Sequence, residues 1–281
     1  MAMRFVKVGP HSWACVGGGE DVLHSFGANQ GFVVRGDSCV VVDSGFHNGT
    51  ALQISRRIRG LQVRRMLLVN THYHSDHVFG NSVFSRNGAA VLSHENCRRS
   101  MRKQSERLLA KYRGRNPKLA RLLAGVEVSY PSLTFRDRVR LFAGDGFPIE
   151  VFHLGVRAHT DGDSVVHVPD DRVVFAADVL WVGYHPNLED SSIQGQIRAL
   201  KMILRLKPKK IVPGHGPVCG PVEARRFMRY LEQLDRNIKR AVREGWGPED
   251  IVDKTIPAWS RDWKMRRLVE AYLQKISQRG K

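Results

Sequence analysis

Apolar residues along the chain gather into short runs divided by turn-forming residues, and their spacing switches between strand-like and helical periods. Gly31 to Val34, Cys39 to Val42, Met66 to Val69 and Ala90 to Leu92 read as strands in the first half; Val151 to His153, Ser164 to Val168, Val173 to Ala176 and Lys210 to Val212 do so in the second. Pro169, Asp170 and Asp171 carry turn chemistry and predict a hairpin between two of these. Ile193, Ile197, Leu200 and Leu204 recur at helical spacing, which predicts a helix lying on a sheet. The same period returns in Phe227, Tyr230, Leu231, Leu234 and Ile238, with Arg226, Arg229, Glu232, Arg236 and Lys239 largely on the other side. Met265, Leu268, Val269, Tyr272 and Ile276 predict a further helix, and Trp259 and Trp263 before it read as filling between helices rather than as pocket wall. Gly17-Gly18-Gly19 lacks a strand-turn-helix context and reads as a flexible connection between the first two strands. Interleaved strands and helices of this kind predict an α/β protein with two stacked sheets and helices outside.

Composition agrees with a large core. At 281 residues and 42% hydrophobic content the chain has enough apolar side chains for a sizeable catalytic body. No run of about eighteen apolar residues exists for a membrane span. Met-Ala-Met-Arg-Phe-Val-Lys-Val at the start lacks the apolar centre of a secretory signal, and the expected compartment is the cytoplasm. Cys15, Cys39, Cys97 and Cys219 are scattered without a C-x-x-C pair, so they are expected to be free thiols and not metal ligands.

Charge changes the picture more. The formal net charge is +18, with 45 Lys and Arg against 27 Asp and Glu. The density peaks at Arg98, Arg99, Arg102, Lys103, Arg107, Lys111, Arg113, Arg115, Lys118 and Arg121, where Glu106 stands alone among acids. Leu108, Leu109, Leu119, Leu122 and Leu123 give this stretch apolar positions, so it reads as a basic helical insertion, about residues 95–125, lying on the body and able to overhang a site. A solvated face is its first reading. An anionic small-molecule substrate or weak, nonspecific nucleic-acid binding is the other.

The candidate chemistry is concentrated in Thr-His-Tyr-His-Ser-Asp-His, residues 71–77, directly after the run Met66 to Val69. His72, His74, Asp76 and His77 are all of metal-binding type, and a turn at a strand end lets them converge on one place. His159 in Gly-Val-Arg-Ala-His-Thr-Asp, Asp178 in Phe-Ala-Ala-Asp-Val and His215 in Val-Pro-Gly-His-Gly also follow apolar runs. Tyr184 and His185 fall on the loop after Asp178 and are candidates to touch substrate. No Gly-x-Ser-x-Gly elbow, phosphate loop or dinucleotide fingerprint is found. Asp43, ending Val-Val-Val-Asp, reads by itself as a strand-end turn residue.

Taken in order, Asp43, the 72–77 cluster, His159, Asp178 and His215 resemble the five motifs of the metallo-β-lactamase-fold hydrolase superfamily over about residues 5–220. The resemblance implies a four-layer αββα sandwich, here a catalytic domain over residues 1–219 with a helical extension, 220–281, packed upon it. It implies that His72, His74 and His159 bind a first metal, that Asp76, His77 and His215 bind a second, and that Asp178 bridges the two. Asp76 is carried over as the catalytic carboxylate as well, and Asp43 as a brace of the metal loop. Two divalent ions follow, zinc first, with iron or manganese as alternatives. The implied reaction is attack by a metal-bridging hydroxide on the carbonyl of a small-molecule ester, lactone, thioester or β-lactam. Asp178 resembles the bridging residue of hydroxyacylglutathione hydrolases and lactonases and departs from that of the β-lactamases. A metal-dependent nuclease, a mononuclear iron dioxygenase on the same fold and a binding protein with an inactive site stay open beside this reading.

Overall fold

A computed structural model of the protein describes residues 3–279. Seven strands form one sheet in sequential order: β1 (Arg4–Lys7), β2 (Ser12–Val16), β3 (Gln30–Arg35), β4 (Ser38–Val42), β5 (Arg65–Asn70), β6 (Ala90–His94) and β7 (Leu133–Phe135). Strands β1 to β4 pair antiparallel, and β4 to β7 pair parallel. The second sheet holds β8 (Arg138–Ala143), β9 (Phe147–His153), β10 (Ser164–Val168), β11 (Val173–Trp181) and β12 (Lys210–His215), in the order β12-β11-β10-β9-β8. Only β11 and β12 are parallel there.

Parallel neighbours need crossover connections, and helices supply them. α1 (Asn48–Arg59) joins β4 to β5, α2 (Ser75–Val78) and α3 (Asn81–Ser85) join β5 to β6, and α4 (Glu95–Arg115) with α5 (Pro117–Leu122) joins β6 to β7. α6 (Ile193–Arg205) joins β11 to β12. α7 (Pro221–Glu244), α8 (Pro248–Thr255) and α9 (Arg266–Arg279) follow.

Strand alternation sets the layers. Val40 and Val42 of β4 face a core that they share with Val151, Val166 and Phe175 of the other sheet, so the two sheets pack face to face. Cys39 and Val41 point the other way, against Ala51, Ile54 and Ile58 of α1 and Val83 and Phe84 of α3. On the far side of the second sheet, Val165 and Val174 meet Ile197, Leu200 and Ile203 of α6 and Phe227, Leu231 and Leu234 of α7. The order is therefore helix, sheet, sheet, helix. Each fully buried Ile or Leu in these layers contributes about 1.5–3 kcal/mol, whereas the helices considered alone carry many charged residues and gain little from propensity.

Strands β1, β2, β7 and β8 were not individually assigned from the sequence. β7 is three residues long and largely exposed, and β8 alternates Arg138, Arg140 and Phe142 outward against Val139 and Leu141, a half-buried edge with a weak apolar signal. The Gly17 to Gly19 run links β2 to β3 and not the first two strands as expected, because the exposed β1, with its weak apolar signal, precedes them. The hairpin at Pro169 closes through Arg172 N donating to Pro169 O at 3.0 Å. All four cysteines are buried and free. Among the described residues no helix is long and apolar enough to cross a membrane.

The polar cluster sits where parallel strands end. Asp43 directly follows β4, His72 follows β5, and His215 is the last residue of β12, which is where open α/β sheets place their ligands. Asp178 does not stand after its apolar run has ended, as the pattern suggests. It lies inside β11, where the pairing with β12 shifts register on both sides of Ala177, whose φ is 45°. That irregularity turns the carboxylate toward the strand ends.

Candidate metal centre

Seven side chains converge in two groups: His72, His74, His159 and Asp178, and Asp76, His77 and His215. His72 stands in the loop after β5, whereas Asp76 and His77 belong to the single turn of α2. In the first group, His74 Nδ1 and His159 Nε2 are 2.8 Å apart, and Asp178 Oδ2 lies 3.3 Å from His159 Nε2 and 3.7 Å from His72 Nε2. In the second, Asp76 Oδ2 lies 3.8 Å from His77 Nε2 and 3.5 Å from His215 Nε2. Asp178 also reaches this group, with Oδ1 3.1 Å from His77 Nε2 and Oδ2 3.5 Å from His215 Nε2. It is the one carboxylate set between both. Gly214 makes this approach possible, since a Cβ there would stand 2.0 Å from Asp178 Oδ1.

Every imidazole is held by its outer nitrogen. His77 Nδ1 is 2.8 Å from Asp43 Oδ2, and His72 Nδ1 is 3.1 Å from Thr71 Oγ1, which itself donates to Asp43 at 2.7 Å. His159 Nδ1 meets Ser191 Oγ at 3.3 Å, His215 Nδ1 meets Phe26 O at 3.1 Å, and His74 Nε2 faces Asp190 Oδ2 at 3.5 Å. Such contacts fix the tautomer and aim the other nitrogen. The inner atoms His72 Nε2, His77 Nε2, His215 Nε2 and Asp178 Oδ1 are buried with no hydrogen-bond partner. Four orphaned polar atoms around one point are costly unless something binds there, and imidazole with carboxylate is a donor set for transition metals. The residues fit a metal pair.

Asp43 is buried beneath the loop, accepts from Thr71 N at 2.8 Å, and has a φ of 59°. A left-handed backbone at a non-glycine residue is strain of order 1–3 kcal/mol, held here by three hydrogen bonds to one carboxylate.

The two groups differ electrostatically. Burial pushes the pKa of His72 well down and that of His159 to about 3, so these rings are neutral donors ready for a cation. Burial also works against charge on His77 and His215, but the carboxylates of Asp178 and Asp76 outweigh it, raising His77 well above its ordinary value and His215 to about 9. Cations in the second group would displace protons.

The centre floors a cleft of about 490 Å³. Gln104, Leu108, Tyr112 and Arg115 of α4 form one wall, so the basic insertion does stand over the site, and Met265, Arg267 and Leu268 form another. Most of the insertion's charge, including Arg99, Arg102, Lys103, Arg107 and Lys111, faces solvent. Leu109, Leu119 and Leu123 are buried against Phe46, Phe79 and Met101 and dock it.

Two sequence candidates lie elsewhere. His185 is fully buried, with Nδ1 2.9 Å from Tyr230 Oη and its ring 5.8 Å from Trp263. It joins the loop to α7, and burial lowers its pKa to about 4. Tyr184 packs 6.1 Å from the His215 ring, its hydroxyl donating to Gly19 O at 3.3 Å, and does not line the cleft. Trp263 packs against both Phe227 and Tyr230, as filling of the helix interface requires. Two residues that sequence reasoning missed do belong here. Trp181 stacks on His215 at 3.9 Å and 11°, with its indole N–H donating to Asp178 O at 2.8 Å. Asp190 accepts from Tyr73 Oη at 2.5 Å while facing His74. Trp181 continues the apolar run after Asp178 and was in reach of pattern reading; Asp190 sits in a loop that offers no such signal.

An αββα fold with a His and Asp cluster at its strand ends defines the class of metal-dependent hydrolases. The family model of the metallo-beta-lactamase superfamily matches residues 25–215, and the chain belongs to that superfamily. A metallo-beta-lactamase from Pontibacter korlensis is similar in structure at a TM-score of 0.66 and 19% identity, over 82% of this chain and 99% of that one. The DIM-1 metallo-beta-lactamase gives 0.65 and 16%, over 83% and 98%. At such identities the likeness speaks for the fold and not for a substrate.

Proposed function

We propose that the protein is a dinuclear metal-dependent hydrolase that opens the carbonyl of a small-molecule ester, lactone, thioester or β-lactam. The observation that supports this most is the arrangement of five imidazoles, each anchored at its outer nitrogen, around the shared carboxylate of Asp178. His72, His74 and His159 would hold one ion, Asp76, His77 and His215 the other, and Asp178 both. Two divalent ions, zinc in first place and iron or manganese otherwise, supply Lewis acidity that lowers the pKa of a water and polarises the carbonyl oxygen. Asp43 fixes the 71–77 segment, which carries four of the donors. Asp76, which faces both the second group and the cleft, would take the proton from the attacking water. Trp181 keeps the His215 ring in its plane and presents an apolar face to the substrate. Residues 1–219 form the catalytic domain in this reading, and 220–281 an extension whose α9 completes the cleft.

The test is a panel of esters, lactones, thioesters, β-lactams and phosphodiesters offered to protein stripped of metal and to protein reconstituted with zinc. Hydrolysis of a carbonyl substrate that needs metal is expected. Cleavage confined to phosphodiesters would assign a nuclease instead, and turnover that requires iron and dioxygen would assign an oxygenase.

A further inference from the structure

The metal cleft opens outward into a second cavity of about 640 Å³, and Phe26, Tyr112, Arg115, Met265 and Arg267 line both. Arg115 ends α4 and Arg267 lies in the first turn of α9, so two arginines from distant segments line the same two cavities. Both are exposed. Apart from Asp76 and Asp178 of the metal floor, the carboxylates that line these cavities already have partners. Glu20 accepts from Met265 N at 3.2 Å, Asp21 holds His24 at 2.8 Å, Glu189 pairs with Lys275 at 2.5 Å, and Asp190 takes Tyr73 at 2.5 Å. Arg115 and Arg267 have no ionic partner among the described residues. The cleft they share with the metal floor is lined by the apolar side chains of Phe26, Leu108, Met265 and Leu268 together with polar ones such as Gln104, Tyr112 and Asn187. Arg266, by contrast, is already held by Glu270 at 2.7 Å.

We infer that Arg115 and Arg267 bind an anionic group at the end of the substrate remote from the scissile carbonyl, so the substrate is an acyl compound with a terminal anion. This rests on the proposed hydrolase reading and names its substrate class. A guanidinium fork matches a carboxylate or a phosphoryl oxyanion, and attachment at the far end holds the carbonyl over the metals. The formal charge of +18 favours the approach of such molecules.

The test uses zinc-reconstituted full-length protein and two readouts. The first compares hydrolysis of monomethyl suberate, which ends in a carboxylate, with that of neutral dimethyl suberate. The second compares, by calorimetry, binding of the suberate monoamide with that of the neutral diamide, neither being an ester. A preference of about tenfold for the anionic member is expected in both, carried by KM rather than kcat and weakened by salt. Arg115→Gln with Arg267→Gln should remove the preference, Arg→Lys at both sites should keep part of it, and Arg→Glu at both should transfer it to an ammonium-ended analogue. A phosphonate-ended analogue ranks the two anions, the tighter one naming the natural group. Equal affinity for charged and neutral amides in the wild type, or a preference that survives the double Glu variant, would overturn the inference. If neither ester is cleaved, the hydrolase reading fails for esters, while the amide titration still decides the arginine pair.

Discussion

The floor and the walls of the cleft are built on opposite principles. The floor donors leave strand ends or a strand irregularity, most are buried, and each imidazole is tied by a second contact to Asp43, Thr71, Ser191, Asp190 or Phe26 O. The walls come from α4 and the start of α9 and carry exposed arginines; α4 depends for position on a small apolar core of Met101 and Leu109 with Phe79, and α9 packs through Val269 and Leu273 on the helices outside the second sheet. A floor over-determined in this way sets the kind of chemistry, and walls attached through a few contacts can vary and choose the substrate. In a β/α scaffold, reaction type and specificity then sit on different elements.

Breaking the floor should have the largest effect. Asp178→Ala removes the carboxylate common to both groups and should lower kcat/KM by about 10³-fold or more, with zinc content falling and circular dichroism unchanged. A variant with the parent rate at saturating zinc would make Asp178 a mere strand residue. Asp43→Ala acts one contact further out. It frees the outer nitrogen of His77 and should weaken metal retention by about 10–100-fold, read by competition with a chelator. The wall should tolerate far more. Neutralising Arg98, Arg99, Arg102 and Lys103 together is expected to change hydrolysis of a neutral ester by no more than about twofold, because none of them lines the cleft and three of the four are exposed charges, which contribute little. If the same change instead abolished cleavage of single-stranded nucleic acid, with the slope of log affinity against log salt shallower by about 0.7–0.9 for each lost contact, the nuclease reading would replace the hydrolase one.

The same division governed what the sequence revealed. Floor residues follow apolar runs as chemically unusual turns, so His72, His74, Asp76, His77, His159 and His215 could be named from local pattern, and the structure brings all of them together with Asp178. The sandwich was legible because β4, β5, β10 and β12 are buried enough to read as continuous apolar runs. What failed was non-local. Nearness to Asp178 in sequence suggested His185 for the pocket, but the chain turns it to Tyr230 of α7, a partner 45 residues away. Trp181 reaches His215 only because β11 runs on through its irregularity, and Arg115 and Arg267 line one opening only because two helices distant in sequence border it.

Metal stoichiometry tests the central claim most directly. Protein stripped of metal, reconstituted with excess zinc and freed of unbound ion should hold two zinc ions per chain by elemental analysis, and Asp178→Ala should hold fewer. A wild-type value that stays near one at saturating zinc would contradict the paired centre and leave Asp178 a ligand of a single ion.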